Sequence, residues 1–293
     1  MPTENALPQR LTPVLEARFG LDGGAMFGII PQPLWSRTNP PDDNNRIDMA
    51  CRCLLLEYPD RNVLIDTGIG TKWSDKERSI YKIDDQDPGM TDSLEARQLE
   101  PADIDDVILT HLHFDHVGGA SRVDEQGDIV ATFPDARHWV QDRNWSWAMN
   151  PSERDAGSYR KEDYSFFESN PDAPPLKLID GISEILPGVE VLPLHGHTFG
   201  MQAVKITTDE HTFIYLADLI PTTSHLRAPY VMGYDLQPLE TVEEKKEMLY
   251  HADRNDWILF FEHDPKQAFA RLDFDDDTPR AVPVNPDEIS AIG

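Results

Sequence analysis

Short apolar runs, each closed by a polar residue or a turn signal, recur along this chain of 293 residues. Residues 47–57 and 62–66 read as two β-strands joined by a turn at Pro59-Asp60. Residues 91–99 have the spacing of a capped helix closed by Pro101. A strand at 106–110 follows, and further strands fit 129–133, 137–141, 189–194, 203–207 and 212–217. Thr241 with Glu244 predicts a capping box for a helix running to about residue 252, and 257–261 reads as a last buried strand. Two stretches fit this plan less well. Residues 142–178 set Trp145, Trp147, Tyr159, Tyr164, Phe166 and Phe167 among charges, as in a lid or binding loop. The stretch after Phe274 is acidic and Pro-rich, which predicts an extended or loosely held tail. Strands with helices between them favour a layered α/β sandwich. No Gly-x-Gly-x-x-Gly follows an early strand, so a doubly wound nucleotide-binding sheet is disfavoured.

Composition narrows the class. With 39% hydrophobic residues the chain is globular, and no apolar run approaches the ~20 residues of a membrane span. Its first ten residues lack an apolar core after a basic start, so a secretory signal is not expected. Cys51 and Cys53, the only cysteines, lie two apart in a strand-like run, where their side chains diverge too far for an easy disulfide. Core filling in a reducing cytosol is the expectation, ahead of a Cys-x-Cys metal site. The formal charge of −27, from 53 acids and 26 bases, repels nucleic acid and anionic membranes. Aspartate (34) outnumbers glutamate (19) and lysine falls to 9, which fits a salt-rich host and a merely soluble surface equally well. The aromatic residues of 142–178 are compatible with a homodimer face.

The chemistry concentrates at 107–119, where an apolar run ends in His111, His113, Asp115 and His116 before Gly118-Gly119. Imidazoles and carboxylates are ligands that a borderline metal such as zinc accepts. One ion rarely takes four side chains packed so tightly, so the cluster suggests two metals side by side. His197, Asp218 and His263 each stand just past another predicted strand, which places them at the same sheet edge. In this order the seven residues resemble the signature of the metallo-β-lactamase superfamily: His-x-His-x-Asp-His, then a Gly-His, an Asp and a final His. The resemblance spans roughly 47–265 and implies a four-layer αββα sandwich of the α+β class. It places one metal on His111, His113 and His197, and the second on Asp115, His116 and His263, with Asp218 bridging. Asp66, in Leu-Ile-Asp-Thr-Gly, matches the aspartate that fixes a ligand histidine's tautomer. His195 has no place in that set and reads as a supporting group; His138, His211 and His251 read as ordinary surface or core histidines. The expected organisation is an N-terminal segment and substrate-side loop at 1–46, a catalytic domain at 47–274 with an insertion at 142–178, and a tail at 275–293.

Two divalent cations, zinc first with iron, manganese or cobalt as alternatives, can share a hydroxide formed near neutral pH. It attacks an ester carbonyl, and Asp115 passes a proton to the leaving alkoxide. No Gly-x-Ser-x-Gly elbow is present to support a serine route. Within the superfamily the chain resembles the lactonase and esterase branch, which includes quorum-quenching N-acyl homoserine lactonases. Arylester or organophosphate triester hydrolysis is the alternative, and a di-iron redox protein on the same fold is the alternative of another class. By the same resemblance Met26, Phe27 and Ile30 lie on a loop beside the site and contact substrate, with His225 and Tyr230 as further candidates. In characterised lactonases of that branch a tyrosine three residues after the bridging aspartate holds the lactone carbonyl. Here that position is Pro221, which cannot donate, leaving Tyr230, Tyr234 or His225 as substitutes. The expected protein is a cytoplasmic enzyme acting on a small ester or lactone, with neither nucleic acid nor membrane as partner.

Overall fold

The computed structural model of the chain describes residues 6–84, 87–285, 289, 291 and 292. The ends of the expected N-terminal segment (1–5) and parts of the tail (286–288, 290 and 293) lie outside the described residues. The first sheet holds β1 (Arg10–Asp22), β2 (Arg46–Glu57), β3 (Asn62–Ile65) and β4 (Asp106–Ile108). It continues, past a ribbon of β5 (Ser121–Val123) and β6 (Ile129–Ala131), with β7 (Arg137–Gln141) and β8 (Leu176–Ile179). Its order is β1-β2-β3-β4-β7-β8. The strands β3, β4, β7 and β8 pair in parallel, and β4 is buried on both faces as such strands must be.

The second sheet runs through β9 (Ser183–Leu186), β10 (Val189–Leu194), β11 (Met201–Thr207), β12 (Thr212–Tyr215), β13 (Ile258–Phe260), β14 (Phe269–Asp275) and β15 (Thr278–Pro283) in spatial as well as chain order. Only β12 and β13 pair in parallel, and the crossover between them contains the 17-residue helix Pro238–Arg254. Leu54, Leu56, Val63 and Ile65 from one sheet meet Val191, Val204, Phe213 and Phe260 from the other in a shared core. Met90, Leu94, Trp145 and Tyr164 cover the outer face of the first sheet, and Met248, Leu249 and Ala252 of the long helix join the core on the second. The result is the four-layer sandwich that the family resemblance implies.

Several local expectations are corrected. Arg10–Asp22 is not a free segment but a 13-residue edge strand paired with β2 along its length. Pro13 and Gly20 hide it in the sequence, and an edge strand tolerates both. The expected loose tail after Phe274 is, as far as Pro283, part of the β14–β15 hairpin of Phe269–Asp275 and Thr278–Pro283. Asp276 and Asp277 turn it with φ of 45° and 63°, an aspartate version of the left-handed turn usually marked by glycine. The helix expected at 91–99 runs Gly89–Glu95. Thr241 does not cap the long helix, which starts at Pro238; Glu244 instead accepts from the backbone N–H groups of His195 and Gly196. The aromatics of 142–178 are mostly core: Trp145, Tyr159, Tyr164 and Phe166 are all buried. Cys51 and Cys53 are buried and unbridged.

Candidate metal centre and its pocket

Strand ends place every expected ligand. After β4 the chain turns through His111 and His113 into the short helix Phe114–Val117, which carries Asp115 and His116. His197 follows β10, Asp218 follows β12 in a tight turn where Ala217 takes φ of 47°, and His263 follows β13. Ligand-type atoms of His111, His113, His197 and Asp218 lie within 4.8 Å of one another, and those of Asp115, His116 and His263 form a second such group. His113 Nδ1 is 3.1 Å from Nε2 of both His111 and His197. Asp218 lies between the groups: Oδ2 is 3.1 Å from His197 Nε2 and 3.5 Å from His116 Nε2, while Oδ1 is 3.3 Å from His263 Nε2. Asp115 completes the second group at 3.7 Å from both His116 and His263.

The outward nitrogens have partners of their own. His197 Nδ1 donates to Asp235 at 2.9 Å, His263 Nδ1 to the Ala50 carbonyl at 2.8 Å, and His116 Nδ1 to Asp66 at 3.1 Å. With those outward protons held by partners, the Nε2 atoms converge on Asp218, and each offers a lone pair once its own proton is displaced. Asp66 sits at φ of 57° just past β3 and also accepts from the backbone and hydroxyl of Thr110, both at 2.7 Å, and from Tyr215. It ties the β3 and β4 ends to His116. Imidazole nitrogens converging on one carboxylate need positive charge among them, supplied by protons or by metal ions. The donor set therefore fits two divalent ions, one on His111, His113 and His197 and one on Asp115, His116 and His263, with Asp218 facing both.

Electrostatics bear on loading. Burial opposes the charged form of His197, but Asp218 and Asp235 outweigh it and push the imidazole up to about 10. Burial likewise opposes charge on His263, yet Glu262, Asp218 and Asp115 push it up to about 9. Both rings hold protons at neutral pH until an ion displaces them, so uptake should release protons and apparent affinity should rise with pH up to that range. Calorimetric zinc titration at pH 7.5 in buffers of different ionisation enthalpy reads the release directly. Buffer-independent heats would contradict it.

A cavity of about 250 Å³ opens onto the centre. His113, Asp115, His197, Asp218 and His263 form its floor; Leu21, Met26, Met49 and Met232 give it an apolar wall, with Tyr81, Phe114 and Tyr234 beside them. Arg154 stands at the mouth and donates to the carbonyls of Gly233 and Asp235 across it. Of the five substrate residues expected from sequence, Met26 lines this cavity and the other four do not. Phe27 is fully buried between Trp35 and His225, stacked at 5.4 and 4.5 Å. His225 is equally buried, bonded to Thr222 and the Met26 carbonyl. Ile30 and Tyr230 pack behind the same cluster. They back the wall and do not line the cavity. His195 accepts from Gly200 N and shapes the loop that carries His197, and His138 is a core residue.

Sequence reasoning missed Asp235, 38 residues from the histidine it orients. It also gave no role to Glu262, although its place beside His263 in Phe-Glu-His-Asp was a local signal. Glu262 is 1% exposed, and its Oε2 lies 3.3 Å from His116 Nδ1.

A model of the metallo-beta-lactamase superfamily matches residues 46–263, and the chain belongs to that superfamily. By class it is a metallo-hydrolase. The N-acyl homoserine lactonase AttM of Rhizobium radiobacter is 24% identical over 228 residues, 72% of this chain and 80% of its own. A probable metallo-hydrolase of Mycobacterium tuberculosis is 26% identical over 259 residues, 75% of this chain and 76% of its own. Among solved structures, a probable metal-dependent hydrolase from Staphylococcus aureus superposes with a TM-score of 0.85 at 27% identity, covering 97% of this chain and 99% of that one. Among the described residues no helix is long and apolar enough to cross a membrane.

Proposed function

We propose that the chain hydrolyses a carboxylic ester at a two-metal centre, with a lactone of the N-acyl homoserine type as its substrate class. The observation that carries this is Asp218, whose carboxylate lies between the two ligand groups, with Oδ2 3.1 Å from His197 and Oδ1 3.3 Å from His263. Two divalent ions bound there supply Lewis acidity toward a carbonyl and make water a nucleophile near neutral pH. The chain's own residues do the rest. Asp115 lies in the cavity floor, where its carboxyl can hand a proton to the departing alkoxide. The methionine-rich wall takes an acyl chain, since thioether side chains adapt to flexible apolar groups. The AttM relative, named a lactonase, supports the same substrate class.

Pro221 leaves the substrate carbonyl without the tyrosine found in the lactonase branch, and its own carbonyl accepts from His263 N. Of the three substitutes considered, only Tyr234 lines the cavity. Burial raises its phenol above the usual range, so it stays a proton donor. Tyr234→Phe should lower kcat about 10- to 100-fold with a smaller change in KM, because such a donor acts mainly on developing charge. A variant with unchanged kcat would remove Tyr234 from the reaction. The reading as a whole is tested by a panel of acyl-homoserine lactones, phenyl acetate and paraoxon on zinc- and cobalt-loaded protein. Turnover of phenyl acetate or paraoxon with inert lactones would replace it with the arylesterase or phosphotriesterase alternative.

A further inference from the structure

The four ligand histidines with a partner on the outward nitrogen are not held alike. His111 has the Thr110 hydroxyl, His263 a backbone carbonyl, and His197 a single carboxylate, Asp235. His116 has two. Asp66 takes the aligned hydrogen bond from Nδ1, and Glu262 flanks the same nitrogen at 3.3 Å. Both side chains are fully enclosed, and the three residues form one cluster with ligand-type atoms within 4.8 Å.

Glu262 has no other employment. Among the described residues, neither of its buried oxygens accepts a hydrogen bond. The donors that share its surroundings are committed elsewhere: Tyr215 to the Arg52 carbonyl and Asp66, Cys51 to the Asp115 carbonyl, and His263 to the Ala50 carbonyl. A carboxylate buried without donors is costly unless positive charge lies close by. Among the described residues the positive charge within reach is that of the His116 and His263 rings, both ligands of the second position, and of whatever they hold between them.

We propose that Glu262 is a positioning carboxylate for the second metal. Together with Asp66 it brackets the Nδ1–H of His116, fixes Nε2 toward Asp115, His263 and Asp218, and makes that ring the most electron-rich ligand of the centre. Counting Asp115, this position has three carboxylates of its own, against Asp235 alone for the position of His111, His113 and His197; Asp218 is common to both. Glu262 therefore acts on one ion and not on both. The inference rests on the two-metal reading above.

The test is metal retention. Zinc-loaded wild type and Glu262→Gln are dialysed against graded chelator, and zinc per chain is measured together with the absorption spectrum of the cobalt-loaded forms. Wild type should retain two ions to a higher chelator concentration. Glu262→Gln should lose one of the two about 10- to 100-fold more readily, the scale on which such outer partners act, and keep the other. Asp235→Asn should weaken the opposite ion. Equal retention of both ions in Glu262→Gln and wild type overturns the role of Glu262 alone, whereas a wild type that holds no ion overturns the two-metal reading itself. Circular dichroism reports folding. If Glu262→Gln does not fold, Glu262→Asp keeps the charge but withdraws it by one methylene, and it should lose the same ion to a lesser degree. Retention equal to wild type in that variant overturns the inference as well.

Discussion

Asp218→Asn should abolish turnover, lowering kcat/KM by about three orders of magnitude or more, the scale seen when a group essential to a catalytic unit is removed. The expectation follows from position. Asp218 places its two oxygens against His197, His116 and His263 at 3.1 to 3.5 Å, and His111 lies at 3.8 Å. Burial works against its charge, but those imidazoles outweigh it and hold the carboxyl well below the usual carboxylate range. Asparagine preserves the shape and removes the charge, so both ions lose their shared anionic ligand while the backbone turn at Ala217 is undisturbed. Zinc per chain should fall together with activity. If kcat/KM falls less than tenfold and the metal content holds, Asp218 is a structural carboxylate and the bridging role is wrong.

Gly119→Ala should be the most damaging change outside the ligands. A methyl group there would lie 2.1 Å from the carbonyl oxygen of Thr67, and one on Gly118 would lie 2.3 Å from that of Ile69. Backbone meets backbone at this point: Gly119 N donates to Gly68 O at 3.1 Å and Thr67 N donates to His116 O at 2.8 Å. The glycines are needed for close approach, since a side chain would push the 67–70 loop off the segment that carries His116. Overpacking against an unyielding backbone costs roughly 2–4 kcal/mol, which is about 4–15 °C in melting temperature for a domain of this size. Metal should be lost with it because His116 shifts. Gly157→Ala, where an added carbon meets nothing within 4 Å, is the control and should melt within about 2 °C of wild type. Equal melting curves for the two variants would contradict this packing argument.

The site was more legible than the fold around it. Metal ligands must be specific residue types at strand ends, so His111, His113, Asp115, His116, His197, Asp218 and His263 announce themselves in order. The parallel strands β4 and β13 were legible as short apolar runs because they are buried on both faces, whereas β8, half exposed, went unread within 142–178. Tertiary context hid the rest. Pro13 and Gly20 disguise β1, and Asp276-Asp277 supplies a turn that sequence rules assign to glycine or asparagine. The Thr241–Glu244 spacing mimics a capping box, but Glu244 is drawn to the His195–Gly196 backbone. Asp235 and Glu262 could not be assigned because their importance lies in which histidine they face. The apolar loop at 25–31 misled for a related reason: Phe27 and Ile30 face the core behind the cavity, and only Met26 points through it.

The central claim is that seven side chains hold two ions that this hydrolase uses together. Elemental analysis of the purified protein beside His113→Ala addresses it most directly. The account predicts two transition-metal ions per wild-type chain, a marked loss of metal in the variant, and loss of ester hydrolysis in step. A wild type free of transition metal, or a His113→Ala variant with undiminished hydrolysis, would contradict it.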